Sequence, residues 1–195
     1  MGFLDTLLGR TKPVQPKLDD LFALPSAAIQ LQAATGFTPT GSGSVCFRAA
    51  EGKPFADVQD EVRALLDMDA DKGTALPVEV TKDNYGYTWL VSNHLSDEMD
   101  GLVTDLHAVN SALVDNGFGP QLLCTLVAFT DEAHRRLALV YLYKRGTFYP
   151  FAPLNENQQQ RDNALEFQVK GVLGDELKIE QDLTRWFPVW GAPGL

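Results

Sequence analysis

Asp67, Asp69 and Asp71 come as near to a metal-binding pattern as this chain offers. Acids at alternate positions are how a calcium loop presents its oxygen ligands. Such a loop needs glycine where Lys72 stands, however, and Glu79 falls one residue beyond the closing bidentate acid. The segment reads as a solvated acidic loop. His94, His107 and His134 are the only histidines, and none lies at metal-ligand spacing from a cysteine or another histidine. His107 sits beside the apolar stripe of a helical stretch, which suits a hydrogen-bonded structural role, and His134 falls in a charged turn. Cys46 and Cys124 lie in apolar, strand-like runs and read as buried free thiols in a reducing compartment, with a disulfide left open. No nucleophile elbow, phosphate loop or dinucleotide fingerprint occurs: Gly117-Phe118-Gly119 lacks the third glycine and follows a helix, not a strand. No catalytic residue, metal or cofactor is expected.

Recognition is the better prospect. Lys144-Arg145-Gly146 runs directly into Phe148-Tyr149-Pro150-Phe151, placing cations against amphipathic aromatics in a chain otherwise dominated by acids. One reading is a cleft for an acidic or peptide ligand, with Lys144, Arg145 and Arg161 as its cations. The plainer and weightier reading is a strand end with a bend that buries its aromatics and solvates its charges. The C-terminal cluster of Trp186, Phe187 and Trp190 divides the same way, between docking on its own sheet and meeting a partner. At the other end, Phe3, Leu4, Leu7 and Leu8 share one helical face, with Asp5, Thr6 and Arg10 away from it. They suit a membrane or partner anchor, against packing on the chain's own domain. Met1-Gly2 with Thr6 matches the myristoylation pattern only formally.

Twenty-six acidic residues against sixteen basic ones give a net charge of −10. Nucleic-acid affinity comes largely from phosphate neutralisation by a basic stripe; this chain has none, so nucleic acid is excluded as a main partner. Residues 1–17 carry Arg10, Lys12 and Lys17 against Asp5, a local charge of +2, which leaves −12 for the rest. No secretory signal and no apolar run long enough to span a bilayer is present. The expectation is a cytoplasmic protein, with any membrane contact peripheral and confined to the N-terminus.

The elements that position these residues follow from periodicity. Residues 1–16, with Pro13 and Pro16, form an amphipathic segment and linker, and residues 17–195 form a single domain with an aromatic tail. Leu18–Leu24 suits a short helix ending before Pro25, and the alternation Ile29, Leu31, Ala33 points to a strand, with a helix the alternative. Gly36 to Ser44 would turn into a strand over 45–49. Pro54 opens a helix with Phe55, Val58, Val62, Leu65 and Leu66 along one face. Val78–Val80 and Tyr87–Val91 flank a turn at 83–86, a hairpin. Ser96 is a candidate N-cap for a helix with Met99, Leu102, Val103, Leu106, Val109 and Leu113 inward, stopped at Asn116-Gly117. The runs Gln121–Phe129 and Leu137–Pro153, split by a polar segment, make the central hairpin, and Gln158–Leu173 is the last helix. The fold class is α+β: an antiparallel sheet of five to six strands with helices largely on one face.

Several long phrases together resemble one family. They are the opening M-G-F-L-D-T-L-L-G-R, L-F-A-L-P-S-A-A from Leu21, H-A-V-N-S-A-L from His107 and N-G-F-G-P-Q-L-L-C from Asn116. The block L-A-L-V-Y-L-Y-K-R-G-T-F-Y-P-F-A-P from Leu137, R-D-N-A-L-E from Arg161 and R-W-F-P-V-W-G-A-P-G-L from Arg185 complete them. Over nearly its whole length the chain resembles the PspAB family of PspA-associated proteins. The resemblance implies a non-enzymatic accessory factor of the phage-shock envelope-stress system, with PspA, a coiled-coil membrane-remodelling protein, as partner. It carries over no catalytic residues. The element order is also similar to type III secretion chaperone-like domains, which often form homodimers and bind protein segments; fold alone does not license function.

Overall fold

The structure is a computed structural model that describes residues 17–48, 57, 60, 62, 64, 78–155 and 158–195. A 3-10 helix at Leu18–Ala23 leads into α1, Leu24–Thr35. Strand β1 (Thr38–Phe47) follows, then the hairpin of β2 (Glu79–Lys82) and β3 (Thr88–Asn93). Helix α2 (Met99–Asp115) precedes three successive strands: β4 (Leu122–Thr130), β5 (Arg136–Leu142) and β6 (Thr147–Phe151). A small ribbon of β7 (Pro153–Asn155) and β8 (Gln160–Arg161) ends at α3, Asn163–Leu173.

Six strands form one sheet in the order β2-β3-β1-β4-β5-β6, and every neighbouring pair is antiparallel. The α+β class and the strand number therefore stand as expected. β4 lies inside the sheet and is buried along nearly its whole length, as its unbroken apolar run demands. Residues opposite one another across antiparallel strands share a face, and neighbours along a strand do not. Thr125 of β4 meets Asn110 of α2, and Ser92 of β3 meets Asp105 of α2, so that face is the helix-covered one. Trp89, Cys46, Cys124 and Leu142, opposed in register across β3, β1, β4 and β5, form a row on the other face. The C-terminal tail lies over that face: Ser44 donates to the Pro193 carbonyl at 3.2 Å, and the Trp190 ring meets Phe151 edge-on at 4.9 Å.

Five expectations are corrected. The stretch after Ser26 is helix, not strand, because Leu24, Ala27, Ala28 and Leu31 form a buried stripe at helical spacing, with Pro25 in the first turn and Ile29 exposed. Gly36, at φ 78°, ends that helix, and β1 starts well before Val45. Helix α2 is not capped by Ser96: it starts at Met99, and the Glu98 carboxylate accepts from the Leu95 amide at 3.3 Å. The last helix starts at Asn163, not Gln158, because Asp162 caps it by accepting from the Leu165 amide at 2.9 Å. The run from Leu137 divides into β5 and β6 at a turn through Lys144-Arg145-Gly146, where the Gly146 amide bonds the Leu142 carbonyl at 2.8 Å. Asp57, Asp60, Val62 and Ala64 are helical with Val62 buried, whereas Phe55, Val58, Leu65, Leu66 and the Asp67–Asp71 acids lie outside the described residues. So do Phe3, Leu4, Leu7 and Leu8.

Candidate functional site

The row Trp89–Cys46–Cys124–Leu142 floors a cavity of about 620 Å³, with Tyr149 at its side and the tail residues Phe187, Pro188, Val189 and Trp190 over it. That volume lies within the range of ligand pockets, roughly 300–1,000 Å³. Its lining is mainly apolar and aromatic. Lys144 and Arg145, from the β5–β6 turn, and Arg185 bring cations to it; among the described residues Asp83 is its single carboxylate.

Each wall has a local cause. Asp83 begins the β2–β3 turn, and its Oδ1 accepts from the Tyr85 and Tyr87 amides, both at 2.9 Å, an arrangement aspartate favours in turns. Its Oδ2 accepts from Trp89 Nε1 at 2.9 Å. One carboxylate thus fixes the turn and the indole in the cavity floor, and projects Tyr85, 65% exposed, at the mouth. Opposite, Tyr149 donates to the Phe187 carbonyl at 2.7 Å, which pins the tail; burial pushes the Tyr149 hydroxyl well above its ordinary pKa. Arg145 is tied to Glu180 at 3.0 Å and Arg185 to Asp182 at 3.0 Å. Lys144 is exposed and has no ion pair among the described residues.

Of the residues singled out from sequence, the fold brings Lys144, Arg145, Tyr149 and Trp190 to the cavity. Phe151 and Trp186 are buried and pack nearby without lining it. Arg161 does not join Lys144 and Arg145. Its Nε meets the buried Glu166 at 2.9 Å, its Nη1 donates to the Trp186 carbonyl at 2.7 Å, and it lies over the Phe151 ring. Arg161 therefore stands apart from the cations that line the cavity. Cys46, Asp83, Tyr85 and Trp89 were not foreseen as part of the site. The alternation Tyr85, Tyr87, Trp89 after a turn-forming aspartate was the available signal for half of it; nothing local brings the cysteines beside it.

A second polar cluster has the residue types of a hydrolytic triad. His94 Nε2 lies 2.7 Å from Asp105 Oδ2, and Ser92 donates to the same oxygen at 2.7 Å. The hydroxyl bonds the carboxylate and not the imidazole, so the hydroxyl–imidazole–carboxylate order of a triad is not formed. The cluster ties β3 to α2. Among the described residues no three His, Cys, Asp or Glu side chains are grouped to hold a metal ion, and no helix is long and apolar enough to cross a membrane.

A helix-backed antiparallel sheet whose other face carries an aromatic cavity of ligand size defines a small α+β domain with a candidate site at one sheet face. Residues 1–194 match the family described as PspA associated protein B, and the chain belongs to that family. No curated protein and no solved structure matches it.

Proposed function

We propose that this chain is a non-enzymatic accessory protein that binds PspA through the cavity between the β2–β3 turn, the β5–β6 turn and the C-terminal tail. The family description supplies the partner, and the observation carrying the site is the cavity's make-up. Tyr85 and Phe187 are 65% and 57% exposed at its mouth, where large aromatics commonly anchor protein partners. Lys144, without an ion pair among the described residues, stands beside them in a chain of net charge −10, so the occupant suited to it is a helical segment of PspA presenting apolar residues flanked by an acid. Phe3, Leu4, Leu7 and Leu8 supply a second attachment, to lipid or to a partner helix, through the mildly basic N-terminus.

Titration of the purified full chain with PspA tests the site. Exchanging Lys144→Glu together with Phe187→Ala should weaken binding by about tenfold or more. Ile29→Ser, on the exposed side of α1, should leave it unchanged. Equal affinity for all three proteins, or no binding of the wild type, would remove the reading.

A further inference from the structure

Cys46 and Cys124 face one another directly in the β1–β4 register. Opposed residues in antiparallel strands hold their Cα atoms about 4.5 or 5.5 Å apart, according to whether the pair is hydrogen-bonded. A disulfide spans Cα separations of about 4.4–6.8 Å, so either kind of pair fits. The Cys124 side chain opposite, ahead of burial, holds the Cys46 thiol well above the ordinary thiol range, and as cross-strand partners the two lie on the same face of the sheet. Both cysteines are free and nearly buried, yet both line the cavity, which gives a small solute a route to them. The register also slips immediately after Cys46, and such an irregularity loosens the ladder where two sulfurs would have to draw together.

We propose that Cys46 and Cys124 form a redox-responsive dithiol, oxidised by a small hydroperoxide entering through the cavity and closed into a cross-strand disulfide in its floor. In the first step one sulfur attacks the peroxide. The O–O bond breaks, the sulfur becomes a sulfenic acid, and the remaining fragment leaves as water or an alcohol. In the second, the other thiol attacks that sulfur; the S–S bond forms, the S–O bond breaks, and the hydroxyl departs with the thiol proton as water. Two electrons pass from the thiol pair to the peroxide, and a dithiol reductant returns them. The bond would stand between Trp89 and Leu142 in the same row, reshaping the floor that an occupant meets. That consequence rests on the partner-binding reading above; the oxidation itself does not.

The reduced, folded full chain is treated with hydrogen peroxide and followed by intact mass and by thiol labelling after denaturation. The wild type should lose two hydrogens within one chain, both thiols disappearing together and returning with dithiothreitol. Cys46→Ser and Cys124→Ser should each instead yield a single sulfenic acid that dimedone traps. Independent loss of the two thiols, a disulfide joining two chains, or a folded wild type whose thiols survive would each overturn the assignment. Since no partner enters the measurement, its failure is distinguishable from a failure to bind PspA.

Discussion

Glu180 is 3% exposed and accepts hydrogen bonds from Arg145 at 3.0 Å, Thr147 at 2.9 Å and the Asp182 amide at 3.0 Å. Burial alone would raise its carboxyl pKa, but these donors outweigh it and hold the group at about 2, against 4.5 for an unperturbed glutamate. A carboxylate whose pKa falls on folding contributes stability that is complete above the unfolded value and disappears as pH falls through the folded one. Glu180→Gln should therefore cost on the order of 2 kcal/mol at neutral pH. Chemical denaturation at stepped pH should show the gap between wild type and variant closing from about pH 5 towards pH 2, the window set by the two pKa values. A gap unchanged at low pH would mean that packing and not charge is what the substitution removes. The contact also places the site: Glu180 lies beside β6 through the parallel bridge between Phe148 and Ile179, and so holds Arg145 at the edge of the cavity. None of this was legible in the sequence, where Arg145 read as a solvated cation, because its partner lies thirty-five residues away.

At the scale of elements, the β-strands were legible where their apolar runs were unbroken. β4 was recognised because alternation is unnecessary for a strand covered on both faces, and the β2–β3 hairpin because Asp83-Asn84-Tyr85-Gly86 is turn chemistry. α1 was misread because a run of small and apolar residues satisfies both periods over a short window. Tertiary packing against α2, α3 and β1 chose the helical one. Gly41 marks where β1 and β3 close on one another: it has φ 82°, and a Cβ there would lie 2.1 Å from the His94 carbonyl oxygen. Gly86, in the β2–β3 turn, has a similar φ of 84° with open space around it. Both pay for a side chain in backbone strain, but only Gly41 meets backbone. Gly86→Ala should cost about 1 kcal/mol and Gly41→Ala about 3 kcal/mol or more, as read from equilibrium denaturation. Similar costs at the two sites would show that the β1–β3 junction yields.

For the whole molecule, charge and cover are segregated. Helices take one face of the sheet and the C-terminal tail the other, with the cavity where that cover is incomplete. The residues after 17 carry −12 against +2 for residues 1–17, which disfavours broad adhesion of the body to anionic lipid. In flotation with vesicles of mixed neutral and anionic lipid, the full chain should be recovered with the lipid several-fold more than a version lacking residues 1–12. Equal recovery would remove the anchor. The sequence by itself determined the α+β class, the antiparallel pairing, the central hairpin and the family. These follow from short-range periodicity, turn residues and long matching phrases, all of which survive without coordinates. Only the tertiary structure decided that Lys144, Arg145, Tyr149 and Trp190 share a cavity while Arg161 is drawn away to Glu166, and that Cys46 meets Cys124. Those outcomes depend on strand order and register, which bring together residues tens of positions apart, and no local pattern encodes that distance.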